Sequence, residues 1–387
     1  MIRSEVFNSV TLGMMRGVKG SKWGLYGPDV IPMWLADPDF PVALEIKRAL
    51  IEAVQDEDLF YAPDREAREA MAEKVKGRNG IEAEAGDIMM TQGVIPAMWL
   101  AVRYTCQPGD EVIVTDPMYG PFFTAVVVGE AKSLYHKLDE EEGYRFDIDT
   151  LNELVTKRTK LIFVCNPHNP CGRVLTEEEL RGIGEVAVDH DLTIMSDELH
   201  EDIVFDGRKH ISLASLSPEI EERTMTSFGF SKTYGVAGLQ MGYLVATNKE
   251  MMKRLRAISR GIFRGTSTLA KAAAPVMLDD TLKWWREGLV KHLTMIRDLV
   301  EKRFEEMPGV TCPMLEGTYL MFPNISSYGK TSREITDYLL KEGKIAVSTG
   351  SQFGSNGEGH IRMCIATSES IINEALDRME RALSKLR

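Results

Sequence analysis

The chain is predicted to be an α/β protein with a smaller α+β domain, and three observations predict this. Short β-prone runs alternate with helical stretches between Asp87 and Ala246. From about Lys249 that rhythm gives way to long helices and scattered short strands. The 387 residues also exceed what one compact core holds. Alternation of this kind implies a mostly parallel, twisted sheet with helices on both faces. The expected division is an N-terminal arm over 1–44 that belongs partly with the small domain, a large domain over 45–255 and a small domain over 256–387.

The arm carries Gly, Pro and Trp with little periodicity, including Pro32-Met-Trp-Leu-Ala-Asp-Pro-Asp-Phe-Pro41, and is expected to pack over another element. Helical patterns cover Ala43–Ala53 and Glu66–Lys76, with the aromatic turn Leu59-Phe-Tyr-Ala-Pro63 between them. The β-prone runs are Ile88–Thr91, Glu111–Thr115, Phe122–Val128, Leu161–Cys165, Leu192–Ser196, Arg223–Ser227 and Met241–Ala246. Helices are expected from about Pro96, over Leu151–Val155 and over Thr176–Asp189. The small domain reads as a long charged helix (Trp284–Glu306), strands at Val310–Pro313, Tyr319–Phe322, Ile345–Val347 and His360–Ile365, and a closing helix, Ile371–Leu386.

A formal net charge of -12 with no lysine or arginine run argues against nucleic acid or an anionic membrane surface as partner. No apolar run has membrane-spanning length, and the first residues lack a signal-peptide core. Five scattered cysteines without a Cys-x-x-Cys pair, and few histidines, imply a reduced, cytoplasmic chain with no metal site.

The chemistry should collect beyond the carboxyl ends of the strands, where open α/β sheets bind ligands. After Ile88–Thr91, Gln92-Gly-Val-Ile-Pro96 opens a helix with free N–H groups, a seat for an anion. After Glu111–Thr115 comes Asp116-Pro-Met-Tyr119, whose ring can stack on a flat ligand. Asn166-Pro-His-Asn-Pro-Cys-Gly172 is a sharp loop that directs the Asn169 amide inward. Asp197, ending a buried strand, is costly unless a cation or donors meet it, and His200 follows nearby. Lys232, flanked by strands and aromatics, should be desolvated into a neutral nucleophilic amine. An aromatic aldehyde phosphate would use all of these: a lysine to condense with, an anion seat, a stacking face and a buried acid that keeps its ring nitrogen protonated.

These motifs resemble the fold-type I pyridoxal-phosphate enzymes of the class I/II aminotransferase superfamily. The resemblance runs from Trp34-Leu-Ala-Asp-Pro-Asp-Phe40 to His360-Ile-Arg-Met-Cys-Ile-Ala-Thr367, with Gly93, Tyr119, Asn169, Asp197, Lys232 and Arg362 in matching order. It implies a large domain with a seven-stranded, mostly parallel mixed sheet, and pyridoxal 5'-phosphate as cofactor. Lys232 would form the Schiff base and carry the proton, Asp197 would pair with the pyridine nitrogen, and Tyr119 would stack on the ring. Asn169 would bond the ring oxygen, and the N–H groups of Val94 and Ile95 after Gly93 would hold the phosphate, with Ser231, His200 and Gln240 completing the cofactor shell. Arg362 would clamp the substrate α-carboxylate, beside Asn169 and Ala36. Tyr61 resembles the aromatic that reaches a neighbouring subunit's phosphate, implying a homodimer with shared active sites.

Three positions depart from the usual pattern: Gln240 stands where an arginine is common, Gly229 where a serine is common, and His200 where a tyrosine is common. Gln240, His200, the Asn166–Pro170 loop and Trp34–Phe40 look like the cystathionine β-lyase (C–S lyase) branch. The expected reaction is transamination between an L-α-amino acid and a 2-oxo acid, with β-elimination to pyruvate and ammonia as the alternative. Arg16 and Arg264 are the candidate second cations for an acidic substrate.

Overall fold

The large sheet grows from strands that, apart from one exposed edge strand, are buried on both faces, as parallel strands between helices require. The computed structural model describes residues 3–57, 59–263 and 265–386. In chain order the strands are β1 (Ile31–Pro32), β2 (Ile88–Thr91), β3 (Glu111–Asp116), β4 (Lys132–Lys137), β5 (Thr159–Cys165), β6 (Thr193–Asp197), β7 (Thr224–Gly229) and β8 (Gly242–Val245). They are followed by β9 (Leu320–Met321), β10 (Ile345–Ala346), β11 (Ser348–Thr349) and β12 (Ile361–Cys364). Seven form one sheet in the order β2-β8-β7-β6-β5-β3-β4, in which only the pairings of β8 with β2 and β7 are antiparallel. The mixed α/β sheet matches that reading.

Helix starts follow local chemistry. Thr176 caps Glu177–Asp189 through a reciprocal box with Glu179. Pro96 sits in the first turn of Val94–Thr105, where its missing N–H costs nothing. Gly93, just before that helix, has φ +95°, a backbone setting that favours glycine.

Two readings of the strands are corrected. Phe122–Val128 is not a strand: Gly120–Val128 is a helix. Pro121 pre-sets its first turn, and the buried Phe122, Ala125 and Val126 are spaced i, i+3, i+4 while Val127 and Val128 face out. The seventh strand is instead Lys132–Lys137, an edge strand whose lysines and short apolar content hid it. Val310–Pro313 is also no strand. It contributes a single bridge, Thr311 to Asn324.

The arm is tied down late in the sequence. β1 pairs in parallel with β10, and Cys364 N–H donates to Met33 C=O at 2.8 Å. Lys22, 4% exposed, donates to Asp39 Oδ1 at 2.9 Å and to the Asp37 carbonyl at 2.7 Å. Trp23 Nε1 donates to the same Asp39 oxygen at 2.7 Å. That buried clamp fixes Trp34–Phe40 across the carboxyl ends of the large sheet. β12, paired with β9 and β11, brings Arg362 to the same place.

Candidate active site

Register decides which groups stand side by side. Across β5, β6 and β7, Cys165, Asp197 and Ser227 are level partners, so the loops beyond them open into one space. That space is a cleft of about 530 Å³. Gly93, Val94, Ile95, Tyr119, Asn169, Asp197, His200, Ser231, Lys232, Gln240, Arg362 and Ala36 all line it. Tyr61 does not; its side chain is fully exposed on the outer surface.

Asp197 is 4% exposed, and desolvation pushes its carboxyl up to about 7, against a weaker opposing pull from the Leu199 N–H, 3.1 Å from Oδ1. A buried acid this short of partners favours a cation beside it. Lys232 is partly buried and donates to Ala36 C=O at 2.6 Å. Burial lowers the pKa of its amine, with Asp37 pulling the other way, so the neutral form is more accessible than for a surface lysine. His200 is 3% exposed, edge-on to Tyr319 with centroids 5.5 Å apart. Burial holds its pKa well below the ordinary value, so it is neutral, and its Nδ1 lacks a protein partner.

Arg362 is buried, with Nη1 donating to Asn169 Oδ1 at 3.1 Å and Nη2 to Trp34 C=O at 2.9 Å. Its guanidinium carbon lies 4.7 Å over the Phe353 ring, and its Nε is without a partner. A cation held by neutral groups, with a donor to spare, is ready to receive a carboxylate. Gln240, at φ 51°, is exposed and turns its amide back to Ala237 C=O at 3.1 Å. Lys232 and Arg362 are the cationic side chains among the described residues of the cleft. Arg16 lines a separate surface hollow with Tyr26 and Val30; Arg264 lies outside the described residues.

Trp34, from the arm motif, lines the cleft as well, and so do Ser348, Gln352 and Phe353. Sequence reasoning does not single out the last three. The stretch Gly350-Ser-Gln-Phe-Gly354 holds two of them but is too general to assign. Glu198, Glu201 and His210 gather within 4.8 Å. Glu198 is already bonded to Ser196, His210 and the Leu213 N–H, and Glu201 is ion-paired with Lys74.

Residues 29–379 match the family model of class I and II aminotransferases. The chain is 34% identical over 360 residues to aromatic-amino-acid aminotransferase 2 of Thermococcus litoralis, covering 92% of each. It is 30% identical over 378 residues to cystathionine beta-lyase PatB of Bacillus subtilis, covering 95% of this chain and 97% of that one. Cystalysin from Treponema denticola, solved with a pyridoxal 5'-phosphate cofactor, superposes with a TM-score of 0.91 at 30% identity, over 96% of this chain and 98% of that one. The chain belongs to the class I and II aminotransferases, and it is a pyridoxal-phosphate-dependent enzyme of fold type I.

The cleft's donor set fits that cofactor. Asp197 is a buried acid awaiting a cation, His200 Nδ1 is an orphaned polar atom, and the Gly93 turn exposes the first N–H groups of a twelve-residue helix.

Proposed function

We propose that the enzyme transaminates an L-α-amino acid with a 2-oxo acid, and that Lys232 is the residue that moves the proton. The observation that carries this is the meeting of Lys232, Asp197 and Arg362 in one cleft. When bound, pyridoxal 5'-phosphate supplies an electron sink that acidifies the Cα–H of an amino acid joined to it. Lys232 would hold the cofactor, and its amine is the group placed to take a proton at the substrate Cα and return it. Asp197 would keep the pyridine nitrogen protonated, and Tyr119 would stack on the ring. Asn169 and His200 would orient the ring edge, and the Val94 and Ile95 N–H groups with Ser231 would hold the phosphate; Gln240, which lines the same cleft, would join them by turning its amide away from Ala237 C=O. Arg362 binds the α-carboxylate beside Asn169 and Ala36, which points Cα toward Lys232.

Homodimerisation is part of this reading. Leu59, Phe60 and Tyr61 are exposed. Thr268 Oγ1 donates to Phe60 C=O at 2.6 Å, and Gln92 Nε2 donates to Gly265 C=O at 3.0 Å. Trp99, Val128 and Ile262 line an apolar hollow on the surface that a second copy would also cover. A second copy there would bring Tyr61 toward a neighbouring phosphate seat. The five cysteines are unpaired, which suits a cytoplasmic setting. Among the described residues no helix is long and apolar enough to cross a membrane.

β-Elimination from a cysteine S-conjugate is the second reading, favoured by the likeness to PatB and cystalysin. The two separate on products. With an amino acid and a 2-oxo acid supplied together, transamination yields a new amino acid carrying the donor nitrogen. Elimination yields ammonia and pyruvate at a rate that ignores the 2-oxo acid. Predominance of the second pattern over all donors would replace the proposal with its alternative.

A further inference from the structure

We propose that Asp116 is a positioning residue that fixes Arg362 for substrate carboxylate, through the Ser355–Asn356 backbone and the Phe353 ring. The inference rests on Arg362 being the carboxylate site, and goes beyond it by naming what holds that site in place.

Asp116 ends β3, three residues before Tyr119, and is 2% exposed. Its carboxylate accepts from Ser355 N–H at 3.1 Å, Ser355 Oγ at 2.5 Å and Asn356 N–H at 3.0 Å. None of these partners is a cation, so a buried charge is held by neutral donors alone, an arrangement that costs stability relative to an apolar filling. Two residues further, Met118 N–H donates to Phe353 C=O at 2.7 Å. The end of β3 and the 353–356 turn are thus stitched at four points. Gly354 sits inside that stitch with φ +117°, and a Cβ there would lie 2.1 Å from Asp116 Oδ1. Only glycine allows the approach.

The turn carries the floor of the carboxylate site. Phe353, 3% exposed, lies beneath the Arg362 guanidinium at 4.7 Å. Among the described residues no carboxylate lies within ion-pair distance of Arg362; Asn169, Ser348, the Trp34 carbonyl and that ring hold it. Losing the turn would let the ring drop and the guanidinium tilt, with the Nε donor turned from the ligand. The same carboxylate stands at the root of the Tyr119 segment, so it couples the ring-stacking and carboxylate-binding sides of the cleft.

The test uses the cofactor-loaded enzyme and two readouts: KM against kcat for an amino acid, and inhibition by butyrate, which offers a carboxylate and no amine. For Asp116→Asn we expect KM and the butyrate inhibition constant to rise at least tenfold together. The turnover number should stay within threefold, and the visible cofactor band should not change. Phe353→Leu should reproduce the pattern, and Ser355→Ala, which removes one of three donors, should give about two- to fourfold. Should Asp116→Asn fail to fold, these two variants decide. Butyrate inhibition within twofold of wild type in Asp116→Asn or Phe353→Leu overturns the inference, as does a loss of cofactor that accounts for the whole effect. Arg362→Gln separates the layers: if it leaves butyrate inhibition unchanged, the carboxylate assignment itself fails, whereas a large effect there with none at Asp116 refutes only the positioning role.

Discussion

Replacing Asp197 with asparagine should stabilise the cofactor-free protein while crippling cofactor binding, and the size of the first effect follows from the structure. Desolvation raises the Asp197 carboxyl from 3.8 to about 7. A tenfold change in proton affinity is worth about 1.4 kcal/mol, so the ionised carboxylate destabilises the cofactor-free fold by about 4 kcal/mol at pH 8. The sign follows from linkage. Between pH 3.8 and 7 the folded protein binds a proton that the unfolded chain has lost, so stability falls as pH rises through that window. Asparagine has nearly the same shape, can still accept the Leu199 N–H, and carries no charge to desolvate. Thermal unfolding of cofactor-free wild type and Asp197→Asn should therefore diverge by several degrees at pH 8 and converge toward pH 4. With cofactor added the order should reverse, because the variant has no anion for the pyridinium. A melting difference that is absent at pH 8, or constant across pH, would refute the claim that Asp197 is a desolvated acid kept for a cation.

Other perturbations test other parts of the account. His136 is fully buried on Phe146, and burial lowers its pKa from 6.5 to about 4. The unfolded chain takes up a proton as pH falls from 6.5 to 4 and the folded chain does not, so about 3 kcal/mol of stability is lost across that window. His136→Phe should flatten that acid slope in urea titrations, and an unchanged slope would contradict it. Lys22→Met strands Asp39 inside the arm clamp and should cost about 3–5 kcal/mol, with Lys22→Met/Asp39→Leu recovering much of it; a double mutant as unstable as the single would show that packing, not charge, governs the site. Gln240→Arg places a cation at the proposed phosphate seat and should slow cofactor dissociation at least tenfold in a dialysis time course; equal rates would mean that the arginine's usual role is filled by other groups.

The chemistry of the cleft was legible because it sits where α/β sheets expose polar groups, at the carboxyl end of a strand or within four residues of it. Lys232, Asp197, Asn169 and the Gly93 turn each interrupt an apolar run with a residue that packing does not explain. The walls were not legible. Phe353 matters because it lies under Arg362, and Asp116 because it meets Ser355, 239 positions away. Contacts of that range leave no local pattern. The same holds for the Lys22–Asp39 clamp, which no local pattern announces before β1 is paired with β10. Where local pattern misled, at Phe122–Val128, β-branched composition argued for a strand while the spacing of Phe122, Ala125 and Val126 already had the period of a helix.

The most direct test of the proposed reaction is a half-reaction followed by absorbance, with amino acid added to the cofactor-loaded enzyme and no 2-oxo acid present. Transamination through Lys232 predicts that the visible band converts once to the near-ultraviolet amine form, that a 2-oxo acid restores it, and that Lys232→Ala does neither. A band that persists through many turnovers while pyruvate and ammonia accumulate from a cysteine S-conjugate would contradict the account and assign the enzyme to elimination.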